Sequence, residues 1–501
     1  MSHHDALIIG SGISGLTSAA LLSKKGKSVL VLEAYSRPGG YMHSFRRFGE
    51  LFDTGAHYVG SMCPGQPFHT LLNYLGVYKP EAFVPLNPDG FDVFHFPEGT
   101  IRLPMGFDRA AQELASHFPS ETAAIKSYFD LIQKTVAHFP TYSFDGDADM
   151  TRSLEALQTP LTQVVEPLTQ NPRLQALFYA YCGLHGVRPE DTPFGLHAIV
   201  VDSLIRGPMG FSKGGDDLTK TFVERIEAQG GRVLMNRKVV SLVVNGDNVS
   251  EVVTEKGERF TADWVISSLH PKTTFGLLTD DSRLTGLFKD RVRQLPESGG
   301  MYAVYARAQG LDWDPLQNHY FFDTSDPKEM FRERGPDEIP AMVFASLSRT
   351  SSNEGGKKVF SLHSASPYKW FERWKDTKYG KRPDDYKAFK DKLTARVFAA
   401  VERYEPGLAA KIESQVSSSP LSNLHFNGSI EGSGYGLYHS IQNTGARAIG
   451  PRTKILNLLV TGQNYLFPGL LGASISSLRT CGHIIGIKPV LEELKELGER
   501  S

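Results

Sequence analysis

The sequence predicts an α/β fold in which a parallel-sheet domain is interrupted twice by a second domain of mixed sheet and helix. Three stretches carry that prediction. The first thirty-three residues read strand, glycine turn, helix and strand; residues 206–275 read as a helix and several strands; and a strand near residue 460 runs into a glycine-rich helix start. A chain of 501 residues also exceeds what one core ordinarily organises, so two or more domains are expected.

The N-terminal unit opens with the apolar run Ala6-Leu7-Ile8-Ile9 and the turn Gly10-Ser11-Gly12-Ile13-Ser14-Gly15. Helix formers follow from Leu16 to Lys25, then Gly26 as a stop, then Val29-Leu30-Val31-Leu32-Glu33. Gly10 permits the tight turn, Gly12 lets backbone approach a pyrophosphate, and Gly15 lets helix and strand pack closely. The first helical amides, at Ile13 and Ser14, face the phosphates, and Glu33 beside Ala34 accepts from a ribose diol. With strand, helix and acid in register this is a Rossmann-like dinucleotide site, and the acid favours FAD or NAD over NADP.

Two loops follow: Arg37-Pro38-Gly39-Gly40-Tyr41, and Phe52-Asp53-Thr54-Gly55-Ala56-His57-Tyr58. In the middle of the chain, a helix through Glu227 leads to strands at Arg232–Met235, Val239–Val244, Val249–Thr254 and Ala262–Ser267. At the far end an apolar strand through Val460 enters Thr461-Gly462-Gln463-Asn464, and Gly469 to Ala473 opens a helix. A helix start of small residues sets amides against a flavin's ribityl chain or its O2 carbonyl, where the reduced ring is anionic.

Together these motifs resemble the amine oxidase flavoprotein superfamily, whose signature is the same fingerprint, acid and Arg-x-Gly-Gly. Within it, Phe52–Gly60, Gly428–Gly436 and Leu459–Asn464 are similar to the carotenoid desaturase/isomerase and retinol saturase-like branch. The resemblance covers the whole chain in order. It implies a discontinuous Rossmann-like FAD-binding domain (1–75, 206–275, 445–501) and a mixed sheet-and-helix substrate domain (76–205, 276–444). It places Arg37, Gly39 and Gly40 along the pyrophosphate, with Tyr41 where the common form has arginine. Asp53, Gly55 and His57 fall near the flavin, and Val240 gives backbone contacts to the adenine end. Gly462, Gln463 and Asn464 replace the usual Gly-Asp at the ribityl hydroxyls, with Gly472 and Ala473 behind them.

For the substrate domain, apolar spacing predicts helices over 107–138, 152–182 and 383–415, and strands over 300–308, 316–322, 341–347 and 358–363. Asp323–Pro340 and Arg349–Lys357 read as loops. A net charge of −1 and the lack of a basic run with aromatics argue against nucleic acid. Cys63, Cys182 and Cys481 lie far apart, giving neither a disulfide framework nor a metal cluster, and no metal is expected. The first strand starts too early for a signal peptide, and no run is long enough to span a bilayer, so a cytoplasmic protein is expected. The segment 283–295 combines basic residues with Leu284, Leu287, Phe288, Val292 and Leu295, a pattern suited to peripheral membrane contact.

The function expected is FAD-dependent saturation of a carbon–carbon double bond in a hydrophobic polyene or isoprenoid, with hydride leaving reduced flavin and an acid protonating the other carbon. His57 and His439 are the candidate proton donors, and Tyr435 orients substrate. Carotenoid-type desaturation or reduced-flavin-dependent cis–trans isomerisation uses the same geometry, and a flavin-bearing cargo protein is the non-catalytic alternative. Only one dinucleotide fingerprint is present, so a separate electron donor or acceptor is expected.

Overall fold

The computed structural model describes residues 3–349 and 356–500. Its first sheet draws strands from three distant stretches of chain. Arg232–Leu234, Val29–Leu32, His3–Ile9, Arg259–Ser267 and Leu458–Val460 run parallel in that order. Asn248–Thr254 and Val239–Asn245 extend it as an antiparallel meander. Val29–Leu32 is apolar at every position because both faces of a parallel sheet are covered. Helices Ile13–Lys24, Gly215–Ala228 and Gly469–Ile485 pack side by side on one face. Thus the first and last stretches of the sequence meet: Ser477 Oγ donates to the Ser14 carbonyl.

A second sheet has the order Ile412–Ser418, Met301–Gln309, Lys357–Ala365, Met342–Leu347, Asn318–Phe322, Asp92–Phe96, Gly99–Leu103. It is antiparallel except where Asn318–Phe322 pairs with Asp92–Phe96. The helix Asp384–Glu402 covers one face with Val397 and Val401. The other face joins a continuous apolar core that also takes in Ile8 and Leu16 of the first sheet unit.

Several expected elements differ. The helix over 107–138 is two, Phe107–His117 and Thr122–Val136, split at Pro119. The stretch 152–182 breaks at Pro160 and Pro172 into Met150–Gln158, Leu161–Val165 and Pro172–Tyr179, since proline lacks the amide an uninterrupted helix needs. The helix expected to reach 415 ends at Glu402; Gly407 turns the chain at φ +80°, and Ile412–Ser418 is an edge strand. The hairpin Asp92–Phe96/Gly99–Leu103 had no counterpart in the sequence reading. Asp323–Pro340 carries a single short helix, Pro327–Met330, and most of the Arg349–Lys357 loop lies outside the described residues.

The basic amphipathic segment is helical at Gly286–Gln294, but Leu284, Val292 and Leu295 are buried and Phe288 packs on Phe275. Of its five apolar side chains only Leu287, 83% exposed, faces outward. Most of the periodicity is therefore taken up in packing on the protein. No helix among the described residues is long and apolar enough to cross a membrane.

Candidate functional site

Gly10 turns the chain at φ +94°, a conformation costly for any side chain, and a Cβ at Gly15 would strike the Gly10 carbonyl oxygen. Close approach of strand and helix thus depends on glycine at both places. Helix Ile13–Lys24 starts behind Gly12 with no side-chain cap, which leaves its first amides free for a ligand. Gly10, Gly12, Ile13, Ser14, Glu33 and Ala34 all line one cavity of about 1450 Å³. Glu33 accepts from the Ser11 amide (2.9 Å) and the Tyr35 amide (2.7 Å), which hold the carboxylate in place while further lone pairs face the cavity. An uncapped helix start and a fixed acid fit a pyrophosphate and a ribose.

Gly39, Gly40, Tyr41, Gly55 and His57 line the same cavity, as do Gln463, Asn464, Gly472 and Ala473. The helix start at Gly469–Ala473 lacks a side-chain cap as well. The Tyr41 hydroxyl donates to the Ser433 carbonyl at 2.7 Å, so Tyr41 pins the 429–433 loop over the cavity. The Asn464 side chain accepts from the Leu437 amide and does the same for the next segment.

Other residues expected at the cofactor lie off the cavity lining. Arg37 turns to Asp216 and the Ser44 carbonyl, away from the cavity wall. Asp53 accepts from Ser44 Oγ and the Gly215 amide, clamping a hairpin to a helix, and burial pushes its carboxyl up to about 6. The Val240 side chain points outward on its strand, which leaves its backbone beside Arg237, Lys238 and Val239, the residues that line the cavity there. Gly462 sits behind the wall with its amide donating to Ser476 Oγ, and Gly15 packs against the Gly10 carbonyl.

The cavity continues to the second sheet, where Tyr58, Tyr320, Met342 and Phe344 form an aromatic and apolar wall. The His57 ring lies 4.4 Å from His363 in this region. Burial, reinforced by His363 and Arg349, holds His57 well below the usual imidazole range, so it is neutral and a poor proton donor. His439 lies outside the wall, and burial lowers it to about 4. Tyr435 does line the cavity, with its hydroxyl donated to the Gly183 carbonyl at 3.1 Å; burial raises its pKa.

Behind Tyr58 lies a polar network absent from the sequence reading. The wholly buried Asp92 carboxyl accepts from Tyr181 (2.8 Å), Asn318 (3.0 Å) and Tyr58 (3.3 Å). The Tyr58 and Tyr320 hydroxyls are 2.7 Å apart. Burial pushes Asp92 up to about 7 despite these donors and nearby Arg349. Arg349 ties the His57 loop to the second sheet through the His57 carbonyl, Ser346 Oγ and Asn318 Oδ1. An acid opening a strand rich in apolar residues, Val93, Phe94 and Phe96, was the available signal for Asp92; nothing local marked Arg349.

The fold also brings Cys182, His185 and His197 together, with donor atoms within 4.8 Å of one another. Neither His185 ring nitrogen has a hydrogen-bond partner among the described residues, while His197 Nε2 meets the Tyr128 hydroxyl at 2.8 Å. A thiol and two imidazoles form a donor set suited to a soft cation, and their spacing in sequence hid it.

The sequence profile for flavin containing amine oxidoreductases matches residues 13–472. Similar chains include the all-trans-retinol 13,14-reductase of Rattus norvegicus, 29% identical across 99% of this chain and 88% of that one. The chloroplastic prolycopene isomerase of Arabidopsis thaliana is 24% identical across 85% of this chain and 73% of its own length. Among solved structures, cyclohexylamine oxidase from Brevibacterium oxydans has the same fold, with a TM-score of 0.61, 16% identity, and coverage of 99% of this chain and 100% of that one.

Proposed function

Because this chain belongs to the flavin-containing amine oxidoreductase family, we propose that it binds FAD and saturates a carbon–carbon double bond in a hydrophobic polyene or isoprenoid. The observation that carries this reading is the single cavity running from the Gly10–Glu33 turn to the aromatic wall of the second sheet. Its volume of about 1450 Å³ exceeds the roughly 300–1,000 Å³ of an ordinary small-molecule pocket, as a site for cofactor plus substrate requires. The similarity to an all-trans-retinol 13,14-reductase over nearly the whole chain supports the same substrate class.

FAD, when bound, supplies the hydride chemistry. The chain's residues do the rest. Gly12, Ile13 and Ser14 present amides to the pyrophosphate, and Glu33 takes the ribose. The amides from Gly469 to Ala473 stabilise negative charge that develops on the reduced ring. Tyr58, Tyr320, Met342 and Phe344 hold the polyene and exclude water. Electrons enter from a separate donor, since the chain carries one dinucleotide fingerprint.

Anaerobic incubation of the reduced, flavin-loaded protein with all-trans-retinol and with a cis-carotenoid tests the reading by product mass. A gain of two hydrogens supports saturation. Unchanged mass with altered absorption assigns isomerisation, the reading favoured by the likeness to prolycopene isomerase, and mass loss assigns desaturation. A protein that never takes up flavin refutes all three.

A further inference from the structure

We propose that Tyr58 is the acid that protonates the substrate alkene and that Asp92 resupplies its proton. The assignment rests on the alkene-saturation reading above. It starts from the hydrogen-bonded cluster in which Tyr58 joins Asp92 to Tyr320, and which runs from behind the wall to the cavity lining. Asp92, Asn318 and Tyr181 stay behind the wall, whereas Tyr58 and Tyr320 line it. Tyr320 has no exposed surface, so the half-buried Tyr58 is the member of the cluster with surface toward a ligand.

Other hydroxyls and imidazoles on the wall are less suited. Tyr41 and Tyr435 donate to the Ser433 and Gly183 carbonyls, which carry no proton to give back. His57 and His363 are held neutral by burial. Unlike these four, Tyr58 donates to a wholly buried carboxyl, which can hold a spare proton, whereas Tyr438 elsewhere on the wall donates to the half-buried Asp191. The groups facing Asp92 are Tyr58 on its strand, Tyr181 before helix Phe194–Arg206, Asn318 on the adjacent strand, and Arg349. Three neutral donors and one cation stabilise the carboxylate, yet burial outweighs them, so the acid form persists to about pH 7.

The step balances with one two-electron reductant, the reduced flavin. The alkene π bond breaks; one C–H bond forms with the hydride and the other with the proton from Tyr58 Oη. The phenolate left behind takes the Asp92 proton through their shared hydrogen bond. A single turnover needs no further proton, and solvent restores Asp92 between turnovers.

The test uses flavin-loaded wild type, Tyr58→Phe and Asp92→Asn, each reduced with dithionite and mixed anaerobically with all-trans-retinol. Retinol affinity is measured in parallel by fluorescence quenching. Wild type is expected to slow as pH rises through about 7. Tyr58→Phe, which keeps the aromatic ring of the wall, should slow flavin reoxidation by about 100-fold or more, well beyond any loss of retinol affinity, and Asp92→Asn should flatten the pH profile. Infrared spectroscopy of the flavin-free proteins supplies a readout independent of turnover: a carboxylic-acid C=O band titrating near pH 7 in wild type and missing from Asp92→Asn. Failure of wild type to add two hydrogens overturns the saturation reading and this assignment with it. Wild-type saturation with Tyr58→Phe within about threefold of its rate overturns the assignment alone. Should Tyr58→Phe not hold flavin, an unaltered pH profile in Asp92→Asn, or persistence of the band there, overturns it.

Discussion

At Asp92 a carboxyl sits without solvent contact, and its carboxyl is pushed from 3.8 up to about 7 by burial. Between those values the folded chain binds the proton that the unfolded chain has released. The contribution to stability is therefore present below about pH 4 and lost as pH rises through about 7. Asp92→Asn removes this dependence. From pH 4 to pH 8, wild type should lose on the order of 2–4 kcal/mol relative to the variant. Urea unfolding of both proteins at several pH values measures it, and a constant difference would mean that Asp92 ionises freely. Glycines 10, 12 and 15 with Glu33 were legible in sequence because their spacing is local. Asp92 was not, because Asn318 reaches it across 226 residues of chain.

Elements were legible where local pattern and packing agree. The strand His3–Ile9, the helix Ile13–Lys24 and the strand Val29–Leu32 form as expected. Gly15→Ala should still allow a helix, since alanine favours one, but it forces the helix away from the Gly10 carbonyl. We expect that variant to purify without flavin and to melt at a lower temperature; full flavin content would show that the close approach is dispensable. Helix Gly286–Gln294 illustrates the opposite case, in which an amphipathic pattern fits two environments. Leu284, just before its N-cap, is buried, so Leu284→Ala should cost about 2–4 kcal/mol, as buried leucine truncations do. Leu287→Ala at the exposed position should stay within about 0.5 kcal/mol. Denaturant titration of the pair decides; equal effects would place Leu287 in an interface.

Across the whole molecule the cavity is assembled from stretches that begin and end the chain, together with the second sheet. A ligand that fills it can bind only the folded state, so flavin and folding must be linked. With free FAD at about 100 times its dissociation constant, the gain is about 2.7 kcal/mol. Thermal melts of deflavinated protein should rise steadily with the logarithm of added FAD. A melting temperature indifferent to FAD would indicate that the cavity forms no cofactor site.

By itself, the sequence determined the nucleotide turn, the α/β class and the flavin-bearing frame, because a strand, a glycine turn, a helix and an acid interact within some thirty residues. Its periodicity also marked most strands of the second sheet. Only the tertiary structure decided which polar groups share a wall. It set Arg37 on Asp216, held His57 neutral, and set Asp92 against Tyr58 and Asn318. The reason is physical: burial and long-range strand pairing set both the protonation and the partners of a side chain, and neither is encoded in the spacing of its neighbours.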